Sequence, residues 1–392
     1  MDLEKIQTAI RSLGADGWLF FDFHNRDHLG LKILGMDLKG LSTRRWYYFV
    51  PAEGEPTKLA HRVEPTKLEH LPGQKRMYSS WRELHSNLKE ILGAPKKIAM
   101  QYSPMNAIPY VSITDAGTVD IVRSFGHDIV SSANLVSQFE ALLDEKAVKS
   151  HFKAGKLVDA VLADAFNEVR KSVRSKKYKT EYEIQQFIMK RFKANGLVTD
   201  DPPIVGTNDH PANPHFAPVP KGSRKIKPGD KLLIDLWAKL DKPGSIFYDI
   251  TWCAFIGDEA PEEYVKAFHT VRDARQAGFE FINERLGSGK AIAGWEVDDI
   301  CRNVVSEAGY GQYFTHRTGH SIGEEVHGNG PNIDNFETQD TRQLVPGCLF
   351  SLEPGIYIEG KMGVRSELNV YIGSTNRALV TGREQEELVM IH

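Results

Sequence analysis

Cysteine is scarce in this chain. Only Cys253, Cys301 and Cys348 occur in 392 residues, far apart and with no CxxC pair. Two lie in apolar, strand-like runs, so small buried hydrophobes are expected, and a reducing compartment fits. No run approaches 18 apolar residues, which excludes a membrane-spanning helix by pattern. The first residues, Met1-Asp2-Leu3-Glu4-Lys5, give no secretory pattern; Leu3, Ile6, Ile10 and Leu13 fall at helical spacing instead. A cytoplasmic location and no membrane partner are the expectation. Dense positive charge is also missing. The one basic run, Arg174-Ser175-Lys176-Lys177-Tyr178-Lys179, reads as a solvated turn between helices. With a formal net charge of −3, no nucleic-acid partner is expected. Extensive disorder is not expected either, because 41% of residues are hydrophobic and 26% charged.

The length favours two domains. Residues 1–143 alternate strand and helix: strands are expected at 17–23, 46–51 and 97–102, and a helix from Trp81 to Leu92 closed by Gly93. Five scattered histidines there (His24, His28, His61, His70 and His85) form no cluster and read as structural or surface groups. Residues 144–392 open with a long helix over about 145–173. A second follows the Thr180/Glu183 capping-box pattern and stops at Gly196. Further helices are expected over 261–286 and 296–308. This half reads as α+β, with helices outside a sheet that carries polar groups on its inner face.

Those polar groups form a spaced duplicate. Pro228-Gly229 precedes an apolar run and Asp235, and Asp249 lies 14 residues further on. Pro346-Gly347 precedes a second apolar run and Glu353, and Glu367 again lies 14 residues on. Each position is offset from its counterpart by 118 residues, the mark of an internal repeat. Both 14-residue gaps contain turn residues, Asp241-Lys242-Pro243-Gly244 and Glu359-Gly360-Lys361-Met362-Gly363, so both read as hairpins that can present two carboxylates on one face. Four buried carboxylates repel one another unless cations sit among them. With His320 as a fifth ligand, the set suits two divalent ions of Mn, Co, Fe or Zn rather than Mg or Ca. His316 lies four residues before His320, and Gly319 and Gly323 argue for a strand or loop rather than a helix there. His327 and His215 precede the two hairpins and could form a second pseudo-symmetric pair, with His210 competing with His215.

Five segments together resemble the M24 metallopeptidase family: Leu233-Ile234-Asp235, Tyr248-Asp249-Ile250-Thr251, His316-x-Thr318-Gly319-His320-x-Ile322-Gly323, Leu352-Glu353-Pro354-Gly355-Ile356-Tyr357 and Val364-Arg365-x-Glu367. The likeness is to the prolidase and Xaa-Pro aminopeptidase branch. It implies a pita-bread domain with a pseudo-two-fold repeat over 144–392, preceded by a smaller creatinase-type α/β domain over 1–143. It also implies two metal ions, manganese first, held by Asp235, Asp249, His320, Glu353 and Glu367. His215, His316 and His327 would line the substrate site. A homodimer is implied in the same way. Four positions depart from the family's usual residues: Trp252, Arg317, Gly328 and Leu368. They bear on substrate preference more than on hydrolysis.

The resemblance further implies hydrolysis of a small peptide with proline at its second position. Glu353 would shuttle the proton, His327 or His215 would polarise the carbonyl, His316 would position substrate, and Arg365 would fix Asp235 or a neighbour. Trp237, Phe216, Phe247 and Tyr357 are candidates for an apolar proline pocket. An aminopeptidase acting on longer peptides, an enzyme of this fold acting on a non-peptide amide or as a lyase, and a non-catalytic peptide-binding module are the alternatives.

Overall fold

A computed structural model describes residues 1–392, which divide into two compact units, Met1–Glu140 and Ala141–His392. The first contains helices α1 (Leu3–Leu13), α2 (His28–Ile33), α3 (Trp81–Leu92), α4 (Ala116–Ser124) and α5 (Ala133–Glu140). Its mixed six-stranded sheet runs in the order β4 (Gln74–Tyr78), β3 (Thr57–His61), β2 (Trp46–Pro51), β1 (Gly17–Asp22), β5 (Lys97–Met100) and β6 (Asp128–Ser131). Strand β1 is buried on both faces because its side chains alternate between two cores. Trp18 and Phe20 join Ile6 and Ile10 of α1, while Leu19 and Phe21 join Leu84 and Leu88 of α3. This is an α/β layer unit.

In the second unit, a helix pair precedes each carboxylate hairpin. Helix α6 (Glu145–Arg174) starts at Asp144, whose side chain caps Ala147 N, and α7 (Glu181–Ala194) starts at the Thr180/Glu183 capping box. Short strands β7 (Leu197–Val198) and β8 (Ile204–Thr207) lead to β9 (Lys231–Leu240) and β10 (Tyr248–Ile256), an antiparallel hairpin. Then come α8 (Glu262–Gly287) and α9 (Gly294–Glu307), followed by β11 (Leu349–Leu352), β12 (Gly355–Ile358), β13 (Met362–Arg365), β14 (Leu368–Gly373), β15 (Arg377–Val380) and β16 (Val389–Ile391). The ligand-bearing strands belong to separate sheets rather than one. One contains β16, β10 and β9 with β7 and β8; the others are β11–β14–β15 and β12–β13.

Alternation along β9 and β10 decides what faces where. Ile234, Leu236, Ile250, Trp252 and Ala254 pack with α6 and α7. Leu233, Cys253 and Phe255 face the other way, toward the core built from α8, α9 and the second hairpin. All three cysteines are buried and free. No helix is long and apolar enough to cross a membrane.

The first hairpin is pinned where it turns into β10. His151 of α6 donates from Nδ1 to the Phe247 carbonyl (2.6 Å) and accepts at Nε2 from Thr381 Oγ1 (2.7 Å). Tyr248 sits between Gly155 and Gly382; a Cβ on Gly382 would lie 1.7 Å from its hydroxyl oxygen. The residue beside Asp249 is thereby fixed by close approach that only glycine permits.

Burial pushes the His151 imidazole down to about 4, so it is neutral in the fold. An unfolded histidine titrates near 6.5. The stability from neutral His151 is therefore complete above pH 6.5 and is lost as pH falls toward 4, by at most about 3 kcal/mol. His151→Gln keeps one donor and one acceptor without a titrating ring. Urea unfolding at pH 7 and pH 4.5 should show a smaller acid loss for the variant than for the wild type.

Candidate metal centre

Asp235 and Asp249 meet because of strand register. Asp235 pairs with Thr251 and Asp249 with Trp237, so all four side chains share one face. The second hairpin is built differently. Leu352 pairs with Leu368 and Gly355 with Arg365 in one continuous register, interrupted only at Glu353-Pro354 and Ser366-Glu367. Glu353 and Glu367 sit opposite each other at that interruption, outside the regular strands. Proline at 354 cannot donate to a ladder, which agrees with a break there.

Side chains lock the two hairpins together. Asn369 accepts from Asp249 N (3.0 Å) and donates to Asp249 O (2.5 Å), holding that residue's backbone from both sides. Thr251 Oγ1 donates to Glu367 Oε2 (2.7 Å) and accepts from Arg365 Nε (2.9 Å). Arg365 also pairs with Asp235 and donates to the Tyr357 hydroxyl (3.0 Å). Tyr357 in turn lies 2.6 Å from His316 Nε2.

The histidines arrive on an extended segment paired with β11, as the glycines around His320 suggested. Ser351 N donates to His320 O and Glu353 N to Thr318 O. His320 Nδ1 faces the Ser321 carbonyl at 3.1 Å, so Nδ1–H is the donor and Nε2 is left facing the acids. That nitrogen lies 3.3 Å from Glu353 Oε1 and 3.6 Å from Asp249 Oδ2. His316 donates from Nδ1 to the Arg317 carbonyl, and burial pushes it down to about 4, consistent with a neutral ring accepting from Tyr357.

The other candidates separate clearly. His327 stands edge-on to the His320 ring at 4.4 Å and is exposed at the rim, as is His215. His210 is committed elsewhere, bound through Nδ1 to buried Glu181 (2.8 Å) and stacked on Phe216. Phe247 is fully buried in an apolar cluster and cannot line a pocket. Two of the four departures are core residues that do not face the acids. Trp252 points to the opposite face of β10, among α6 and α7, and Leu368 is core. Gly328 is packed so that a Cβ would lie 3.0 Å from Ser321 Oγ.

Asp298 and Arg302, one turn apart on α9, were not singled out from sequence, although their i,i+4 spacing on a helix face was a readable signal. Asp298 accepts from Thr318 N and Oγ1, and Arg302 donates to the carbonyls of Phe314 and His316. Together they clamp the histidine segment onto α9.

The electrostatics are those of a centre built for cations. Burial raises Asp249 despite His320, burial followed by the neighbouring acids drives Glu367 well up, and Asp235 is pushed up to about 7 by burial despite Arg365. Glu353 is lowered, because His320, His316 and Arg365 together outweigh its burial. Asp249 Oδ1 and Glu367 Oε1 are enclosed without any hydrogen-bond partner. Ligand atoms of Asp249, His320 and Glu367 all lie within 4.8 Å of one another. Enclosed carboxylate oxygens without donors, next to an imidazole in the ligating tautomer, fit divalent ions.

Comparison with known proteins agrees with this chemistry. Residues 149–374 match the profile of Metallopeptidase family M24. An uncharacterized peptidase of Staphylococcus aureus is 26% identical over 277 residues, covering 70% of this chain and 72% of that protein. Among solved structures, the dipeptidase PepE of Mycobacterium ulcerans superposes with a TM-score of 0.70 at 25% identity, covering 99% of this chain and 96% of its own. A recombinant prolidase of Thermococcus sibiricus gives 0.62 at 26% identity, covering 100% and 99%. The fold of the second unit is the pita-bread fold expected from the sequence.

Gly319 lies between Thr318 and His320, where a Cβ would be 1.9 Å from the Ser351 carbonyl oxygen. Gly319→Ala must push the histidine segment off β11. Chemical denaturation should show a loss of about 2 kcal/mol or more, the scale of overpacking a tight contact. Retained wild-type stability would contradict this account of the segment.

Proposed function

The chain belongs to metallopeptidase family M24, and from that premise we propose that it is an Xaa-Pro dipeptidase whose centre takes two divalent metal ions, manganese first. The observation that carries the metal reading is the pair of enclosed, partnerless oxygens on Asp249 and Glu367 beside His320. The dipeptidase reading is supported by likeness to solved structures of a dipeptidase and a prolidase that span nearly the whole chain.

In this reading Asp235, Asp249, His320, Glu353 and Glu367 hold the ions. Bound there, the ions would supply a water acidified to near neutrality as the attacking nucleophile. The chain's own residues do the rest. Glu353 is the carboxylate suited to move a proton. Its backbone N–H is held by the Thr318 carbonyl and its Oε1 accepts from the Ser351 hydroxyl (3.0 Å), 3.3 Å from His320 Nε2. It takes the water proton and returns it to the proline nitrogen as that nitrogen leaves.

Arg365 serves as a positioning residue. Its guanidinium ties Asp235, Thr251 and Tyr357 into one rigid unit, so the acids cannot drift apart before the ions bind. Tyr357 and the Arg317 carbonyl fix the His316 ring from both nitrogens, setting its plane against the substrate. His327 and His215, at the open rim, are the groups able to donate to the substrate carbonyl.

Glu353→Gln should lower kcat toward Ala-Pro by about a hundredfold or more, the scale of losing a proton shuttle. Assay with Ala-Pro, Ala-Pro-Ala and Ala-Ala after Mn²⁺ loading tests the specificity. Cleavage confined to Ala-Pro is expected. Cleavage of the tripeptide would move the function to an aminopeptidase, and cleavage of none would contradict a peptidase of this specificity.

A further inference from the structure

Trp237 has no part in the chemistry above, yet it occupies the ligand face. It pairs across the hairpin with Asp249 and lies two residues along the same face from Asp235. Directly paired side chains on a sheet stand about 5 Å apart at Cβ. We propose that the Trp237 indole is the wall against which the side chain of the substrate's N-terminal residue packs, so that it limits the size of residue admitted there. The inference rests on the dipeptidase reading and assigns a specificity-determining residue within it.

Three observations carry it. Trp237 is half-buried, whereas its neighbours Leu236 and Ala238 are fully buried. Its Nε1 is enclosed and has no hydrogen-bond partner, so the part of the residue left open is hydrocarbon. An indole left open through its carbon atoms, on the face that carries the acids, offers an apolar, flat contact. Finally, Trp237 also packs on the cluster of Ile246, Phe247, Ile322 and Leu349, which backs it from the side of the histidine segment. That backing makes the ring a fixed wall.

Charge decides which end of a dipeptide lies beside it. Of the acids on the β9–β10 face, Asp235 is paired with Arg365, so Asp249 is the one left without a cation of the chain; Lys239, two residues beyond Trp237, is held on the Glu324 carbonyl. The cation Arg317, whose charge reaches Glu353 and His320, comes from the facing segment. With a dipeptide's carboxylate drawn to Arg317, its ammonium end lies toward Asp249. The side chain next to the ammonium then meets the residue paired with Asp249, which is Trp237.

The test uses Mn²⁺-loaded full-length wild type, Trp237→Phe and Trp237→Gly, with metal content checked for each. The kcat/KM for Phe-Pro relative to Ala-Pro should rise at least tenfold in Trp237→Gly. The second readout is tryptophan emission on saturation with the reduced-amide analogue of Leu-Pro, which lacks the scissile carbonyl. Wild type should change emission, and Trp237→Phe should bind, by calorimetry, without that change. An unaltered Phe-Pro to Ala-Pro ratio in a metal-replete Trp237→Gly overturns the proposal, as does an emission change that survives in Trp237→Phe. If wild type cleaves no Xaa-Pro dipeptide, the dipeptidase reading fails, and the emission comparison alone decides the placement of Trp237.

Discussion

Four carboxylates and one imidazole share a space from which water is largely excluded, and the rest of the second unit is organised around that constraint. Acids placed so close would adopt protonated forms or push apart. Asp249 is raised by burial and by Glu353, and Glu367 by burial and by Asp249, Glu353 and Asp235. Arg365 is the only side-chain cation among the hydrogen-bond partners of the four acids, and it is spent on Asp235 and the Thr251–Tyr357 network. Divalent cations from solution would neutralise the remaining charge. A well-packed scaffold that keeps such a cluster together without them stores unfavourable energy that metal binding relieves.

How the scaffold resists that repulsion explains details that otherwise look incidental. Asn369 grips both backbone groups of Asp249, and Thr251 links Glu367 to Arg365. Glycines at 319 and 382 let backbone or a tyrosine ring approach where any side chain would collide. Helix α9 contributes Asp298 and Arg302, which hold the histidine segment by its backbone rather than by its rings. Each device acts one layer behind the ligands. A ligand in such a setting keeps its direction whether or not its own charge is satisfied.

Much of this was readable in the chain. The 118-residue offset announced the repeat, and apolar runs around each acid announced buried strands. The turn residues announced two hairpins, and both are present. What sequence spacing did not convey is that the hairpins differ in register, with Glu353 and Glu367 directly opposed while Asp235 and Asp249 are diagonal. That difference arises from the break at Glu353-Pro354, a matter of tertiary pairing. Parity did carry a signal that went unread. Trp252 is three residues from Asp249, so alternation alone puts it on the far face, away from the acids. By contrast, the choice between His210 and His215 depends on Glu181, a partner 29 residues away from His210, which no local pattern reveals.

The central claim is that this cluster is stable in its ionised form only with two divalent ions. The most direct test is metal stoichiometry, measured by elemental analysis after Mn²⁺ loading and dialysis, for wild type and Glu367→Gln. The account predicts close to two ions per wild-type chain and a clear fall in the variant. A wild-type chain that folds and retains no divalent metal, or a variant that retains both ions, would contradict it.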